Sequence, residues 1–337
     1  MTGPRNVTRV QFEAARATIA GSVHRTPTLT SRTAARFVEA ATGSKPGDER
    51  IFLKAEQLQK TGSYKPRGAV AKVASLTDAV RRAGIITTSA GNAAQGYAYA
   101  GAAAGVPVTV VMPTTANPMK VAATAGYGAE VVLVGEDTRV AFAAMEGIRS
   151  ERGLTFCHPF DDPTVIAGYG SVGLEILEDL PDVDVVVVPI GGGGLISGVA
   201  GAVRQSRPGV RVYGVEPVGS NAMSLALAAG EPVTITPVSV ADGLNSPFAG
   251  AWTLDMVNRY VEDVITIDDS LILAGLRFAL ERLKQALEPA GAAGLAALLT
   301  GRIPVRSGER VCVVLSGGNV DVGRLGEFIA AAAPIDG

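Results

Sequence analysis

Short runs of β-branched residues alternate along the chain with Ala- and Leu-rich stretches of helical length. The strand-like runs fall at 51–54, 84–89, 108–112, 130–134, 155–158, 183–190, 211–215 and 310–315. Several, such as VDVVVVPI at 183–190, are apolar on both faces instead of alternating. That pattern belongs to parallel strands covered by helices on both sides. Helices are predicted at 10–19 behind the cap residue Thr8, at 121–125 behind Pro118, and at 271–287 from apolar residues at helical spacing. The expected fold class is α/β, doubly wound. No repeat, low-complexity tract or charged linker marks a domain boundary.

Composition removes several classes of function. With 47% hydrophobic residues the chain can bury enough apolar surface to offset its ordering entropy, so disorder is excluded. A net charge of −2 argues against a nucleic-acid or anionic-membrane partner, which needs a clustered basic surface. Two cysteines, Cys157 and Cys312, cannot build a disulfide framework, and two histidines, His24 and His158, cannot build a multi-histidine metal site. The first residues lack the apolar core of a signal peptide. No charge occurs between Arg82 and Lys120, but Gly91, Gly96, Gly101, Gly105, Pro107 and Pro113 interrupt that stretch. It reads as buried α/β structure at a functional site, not as a membrane span, and a cytosolic protein is expected.

Four glycine-rich segments follow predicted strands. In KTGSYKPRGA (60–69), Gly62 and Ser63 form a turn and Lys65 stands at a helix start. An ammonium there is electrostatically disfavoured, which suits a desolvated lysine to nucleophilic or Schiff-base chemistry. A solvated surface lysine is the bland alternative. In TTSAGNAAQG (87–96), Ser89, Asn92 and the free amides of the turn could hold a carboxylate or phenolate oxygen, or simply cap a helix. Gly191, Gly192, Gly193 and Gly194 follow the most apolar strand, and their backbone amides could surround a phosphate. They lack the Gly-Lys-Ser/Thr ending of a nucleotide loop. VCVVLSGGNVD (311–321) ends a further buried strand in Ser316, a hydroxyl able to meet a ring nitrogen without forcing a proton onto it.

GYGSVG at 168–173 has the Gly-x-Gly-x-x-Gly spacing of nicotinamide enzymes, but no strand precedes it in HPFDDPTVIA. A nicotinamide oxidoreductase is therefore kept only as the reading from another class. A reactive lysine, an anion-binding turn, a glycine cradle and a ring-facing hydroxyl are instead the parts of a pyridoxal 5′-phosphate site.

The chain resembles the serine/threonine dehydratase (threonine ammonia-lyase) family of fold type II pyridoxal-phosphate enzymes, close to serine racemase. TGSYKPRGA, SAGNAAQG, HPFDDPTVIAGYGSVGLEIL, GGGGLISG, VEP, VADG, LEPAGAAG and LSGGNVD carry the likeness, in the family's order, from about residue 20 to 325. The resemblance implies that Lys65 forms the Schiff base with the cofactor and later moves the Cα proton. Tyr64 would cover one face of the ring and Gly243 the other. Asn92 would bond the ring 3′-oxygen, Gly191 to Gly194 with Leu195 would hold the phosphate, and Ser316 would face the ring nitrogen. Ser89, Gly91, Asn92 and Ala93 would hold the substrate carboxylate, and Glu288 would lie near the ring as a supporting polar group.

The implied activity is a dehydratase converting L-threonine or L-serine to a 2-oxo acid and ammonia. Its alternatives are a hydroxyaspartate dehydratase, a serine racemase-like or β-replacement enzyme, and a catalytically idle cofactor carrier. Ala90 stands where serine racemases have a second serine, which favours elimination over racemisation. Ala93 replaces a histidine common in bacterial members. Glu216 matches a metal-ligating residue of relatives whose second carboxylate is Ala222 here, so magnesium or calcium is not expected at that site, while a monovalent cation is left open. The resemblance also implies two open parallel-sheet domains, with 70–158 inserted as the smaller one into a larger one of 1–69 and 159–337. Homodimers or tetramers are usual in the family.

Overall fold

The computed structural model describes residues 5–335. The first four and last two residues, which belong to the leader reading and to the ends of the larger expected domain, lie outside the described residues.

Among the described residues, ten strands form two open sheets. The larger has the order β1 (Thr28–Ser31), β2 (Ile51–Ala55), β10 (Val311–Leu315), β7 (Val185–Pro189), β8 (Arg211–Pro217), β9 (Asp263–Ile267). All its pairs are parallel except β1 with β2, so one antiparallel edge strand departs from the all-parallel expectation. The smaller is entirely parallel, with the order β5 (Glu130–Leu133), β4 (Val108–Met112), β3 (Ile85–Thr88), β6 (Thr155–Phe156).

Fourteen α-helices flank the sheets among the described residues. The first seven are α1 (Arg9–Ile19), α2 (Arg32–Thr42), α3 (Lys65–Ala74), α4 (Asp78–Ala83), α5 (Asn92–Ala104), α6 (Pro118–Gly126) and α7 (Thr138–Arg152). After them come α8 (Pro163–Asp179), α9 (Gly194–Ser206), α10 (Ala222–Ala229), α11 (Ala251–Tyr260), α12 (Asp269–Phe278), α13 (Pro289–Leu299) and α14 (Val322–Ala331).

Alternate residues of one strand serve two cores. Val185 and Val187 of β7 join the cluster built on α12 and α13, whereas Val186 and Val188 join the cluster built on α8 and α9. That is why the run is apolar without alternation. α1 starts as expected behind Thr8, whose N–H is accepted by Gln11 Oε1 at 2.8 Å.

Two expectations need correction. The run at 155–158 makes only a two-residue strand. The helix expected over 271–287 runs as α12 to Phe278, continues as a π-turn through Leu283, and stops where Lys284 takes φ +58°. The apolar spacing persists beyond that point, but a left-handed residue cannot continue a right-handed helix.

α3, α8 and α9 cross closely through glycines. A β-carbon at Gly168 would lie 2.3 Å from Arg67 O, and one at Gly198 would lie 2.6 Å from Gly170 N. GYGSVG is therefore the middle of α8, where its glycines admit neighbouring helices; it is no strand-to-helix turn. Beneath this crossing lies a buried ion network. Arg67 binds Glu56 at 2.8 Å and Glu175 at 2.7 Å, and Lys54 reaches Glu175 at 2.7 Å. Burial works against the Arg67 charge, yet the two carboxylates more than offset it and raise its pKa above the ordinary value. This network fixes the helix whose first residue is Lys65.

Candidate active site

The four segments singled out by their glycines lie at the carboxyl ends of strands, where open parallel sheets hold their ligands. Gly62, at φ +73°, turns the chain from β2 toward α3. Tyr64 caps that helix with its N–H on Ser316 O at 3.2 Å, so the turn after β10 is tied to the helix bearing Lys65. Lys65 is the first residue of α3 and half-buried. Its ammonium lies 4.9 Å from the Tyr64 ring centroid and 5.8 Å from that of Tyr169. Among the described residues no acceptor or carboxylate pairs with it. Tyr64 and Tyr169 meet edge-on at 4.8 Å. α5 backs the lysine, since a β-carbon at Gly96 would lie 3.0 Å from Lys65 Cβ.

β3 ends at Thr88, and α5 opens at Asn92 behind Gly91. Ser89 Oγ accepts the Gly91 N–H at 3.2 Å, while the Asn92 and Ala93 amides have no acceptor among the described residues. Asn92 Nδ2 donates to Glu288 Oε1 at 2.5 Å. Asn319 Nδ2 donates to Asn92 Oδ1 at 2.8 Å and to Thr61 O at 2.7 Å.

Glu288 is the residue before α13 and is 2% exposed. Burial pushes its carboxyl up to about 7, opposed first by the Lys120 charge. Its Oε2 is buried without a partner. Gly243 lies beside it, with its would-be β-carbon 3.9 Å from the Glu288 carboxyl and 2.9 Å from Ala290 Cβ.

Between β7 and α9 the four glycines are held on all sides. A β-carbon at Gly191 would stand 3.1 Å from Leu244 Cα, at Gly192 2.5 Å from the Phe160 ring, and at Gly194 3.0 Å from Phe160 Cβ. Gly193 has φ +92°, and its β-carbon would meet Met223 Cε at 2.5 Å. The amides of Gly191 through Leu195 have no acceptor among the described residues, at the positive end of a 13-residue helix. Leu195 enters only by its amide, because its side chain lies in the core.

These features fit the expected cofactor. A cradle of five free amides, four of them from glycines, suits a phosphate, an unpaired half-buried amine suits an aldehyde, and the orphaned Glu288 Oε2 and the buried Ser316 add polar groups in these same loops. The contacts Gly191–Leu244, Gly243–Glu288, Glu288–Asn92 and Glu288–Gly317, with Tyr64 bonded to Ser316, link the four segments. Asn319, Lys120 and Phe160 were not singled out from the sequence. Only Asn319 carried a signal, as a polar side chain in the glycine turn after a buried strand.

Glu216 is 0% exposed, and both its oxygens are taken by Met223 N, Ser224 N and Ser224 Oγ at 2.8–3.0 Å. Ala222 adds no ligand, and no group of three or more acidic, histidine or cysteine residues is placed to hold a metal among the described residues. No helix among them is long and apolar enough to cross a membrane.

The family model for pyridoxal-phosphate dependent enzymes matches residues 19–317. The chain is 42% identical to an L-threonine ammonia-lyase of Thermotoga maritima over 96% of its own length and 78% of that relative. It is 39% identical to an L-threo-3-hydroxyaspartate ammonia-lyase of a Pseudomonas species, over 90% of this chain and 92% of the other. Among solved structures, maize serine racemase superimposes with a TM-score of 0.88 at 35% identity, covering 96% of this chain and 97% of that one.

Proposed function

Because the chain belongs to the pyridoxal-phosphate dependent enzymes, with the two-sheet architecture of fold type II, we propose that it is an ammonia-lyase converting L-threonine or L-serine to 2-oxobutanoate or pyruvate and ammonia. The observation that carries this reading is the placement of Lys65. Its amine has no partner among the described residues, stands at the start of a helix whose cap residue Tyr64 is bonded to Ser316 O, and is set against the Tyr64 ring.

When bound, pyridoxal phosphate supplies an aldehyde for Schiff-base formation and a ring that takes up electron density from the bond broken at the substrate Cα. The amides of Gly191 to Leu195 hold its phosphate. Tyr64 and Gly243 would flank the ring, Asn92 would bond the ring oxygen, and Ser316 would offer the ring nitrogen a hydroxyl, which does not force a proton onto it. Glu288 holds Asn92 in place. Lys65 would hold the cofactor through its amine and would take the substrate Cα proton at Nζ. Ser89, Gly91, Asn92 and Ala93 receive the substrate carboxylate at the positive end of α5. Ala90 offers no proton donor on the opposite face, so elimination outruns racemisation.

A second reading, a lyase acting on threo-3-hydroxyaspartate, draws on the 39% identical relative. One assay separates the two: 2-oxo acid and ammonia released from L-threonine, L-serine and 3-hydroxyaspartate. Turnover of the first two supports the proposal, exclusive turnover of the third supports the second reading, and ammonia from none defeats both. The proposal extends to a smaller domain of 70–158 that closes on the larger to exclude water, and to a cytosolic homodimer or tetramer, which sedimentation equilibrium reads directly.

A further inference from the structure

Residues 158–161 make a short turn against the tetraglycine loop. His158 Nδ1 accepts the backbone N–H of Phe160 at 3.2 Å and of Asp161 at 2.8 Å. A ring nitrogen that accepts two amides carries no proton, so the imidazole is neutral with its hydrogen on Nε2. Burial favours the same state by lowering its pKa, against the pull of Asp161 and Asp162. The Phe160 ring meets the His158 ring edge-on at 4.6 Å and stands behind Gly192, whose β-carbon would lie 2.5 Å from it, while Phe160 Cβ and backbone would crowd a β-carbon at Gly194 at 3.0 Å.

Asp161 reaches in the other direction. Its carboxylate accepts the N–H groups of Ala251, Trp252 and Thr253 at 2.9–3.1 Å, which fixes the start of α11. Thr253 Oγ1 then lies 2.8 Å from Gly192 O, with Gly250 O as a second acceptor at 3.1 Å. Gly192 is thus held from two sides by residues that a single turn sets in place.

We propose that this turn is a brace for the phosphate cradle, with Phe160 as its wall, Thr253 as its tie, and His158 as the positioning residue that sets Phe160. The inference rests on the reading that the tetraglycine loop receives the cofactor phosphate. Four adjacent glycines have many backbone states, and an amide cradle binds an anion only when its N–H groups converge. Contacts that hold the loop in one state therefore contribute to affinity without touching the phosphate.

The test is titration of the apo-protein with pyridoxal phosphate and with pyridoxal, which keeps the aldehyde and ring but lacks the phosphate, followed by absorbance. Phe160→Ala, Thr253→Val and His158→Ala each raise the Kd for pyridoxal phosphate by about tenfold and leave that for pyridoxal within about twofold. His158→Asn, whose Oδ1 can accept where Nδ1 does, recovers most of the discrimination. An unchanged ratio of the two constants in Phe160→Ala and Thr253→Val overturns the brace, as does an asparagine variant as poor as the alanine. If Phe160→Ala does not fold, Thr253→Val decides alone, since it removes a hydroxyl and keeps the volume. A wild-type protein that binds neither compound overturns the underlying functional reading. A wild type that binds pyridoxal phosphate, with variants indistinguishable from it, overturns only the brace.

Discussion

Asn92 and Glu288 are joined by a 2.5 Å hydrogen bond that ties the first residue of α5 to the residue capping α13. The bond takes one oxygen of a fully buried carboxyl and leaves the other without a partner. With its pKa raised from 4.5 to about 7, Glu288 binds more proton in the folded apo-protein than in the unfolded chain between those values. Stability contributed by this group is therefore full below pH 4.5 and is lost as pH rises through about 7. Glu288→Gln removes that dependence. Urea unfolding from pH 4.5 to 8 should show the variant gaining on wild type up to about pH 7, by at most about 3 kcal/mol, and levelling off above it. A difference that does not change with pH would contradict the assignment.

Arg67 sits two residues beyond Lys65 with its guanidinium 0% exposed between Glu56 and Glu175. Removing it leaves the buried Glu56 carboxylate without a cation and Glu175 with Lys54 alone. Arg67→Met is expected to lose about 3–5 kcal/mol in denaturant unfolding, and adding Glu56→Gln should restore part of that loss. A variant as stable as wild type would show that the network does not hold α3.

Gly193 combines φ +92° with contacts that leave a β-carbon 2.5 Å from Met223 Cε and 2.8 Å from Thr253 Cβ. Gly193→Ala should cost about 1–3 kcal/mol, visible as a lowered melting temperature of the apo-protein. An unchanged melting temperature would mean that the loop adjusts freely.

Cys157 and Cys312 are both fully buried, and burial pushes each thiol up to about 12. Thiolate is scarce at such values, so a thiol reagent at pH 8 should label neither in the native protein and both after denaturation. Rapid native labelling would contradict the burial of either.

The residues legible in the sequence are those whose chemistry is local. Lys65 at a helix start, Asn92 after β3, and four glycines after an unbroken apolar strand each announce themselves within ten residues. The edge strands β1 and β9 did not, because TLTS and DVITI are partly exposed and lack the continuous apolar run of a central strand. The stop at Lys284 carries no sign in the sequence either, since its φ of +58° interrupts a run whose helix-favouring residues continue on both sides. Phe160 and Thr253 were silent for another reason: each acts on a loop 34 or 61 residues away, a relation that no spacing rule encodes.

The central claim concerns the amine of Lys65. Borohydride reduction of the holoenzyme, followed by proteolysis and mass spectrometry, should place one pyridoxyl group per chain on the peptide bearing Lys65, and Lys65→Ala should carry none and release no ammonia from L-threonine. A stable adduct on any other lysine, or full turnover by Lys65→Ala, would contradict the account.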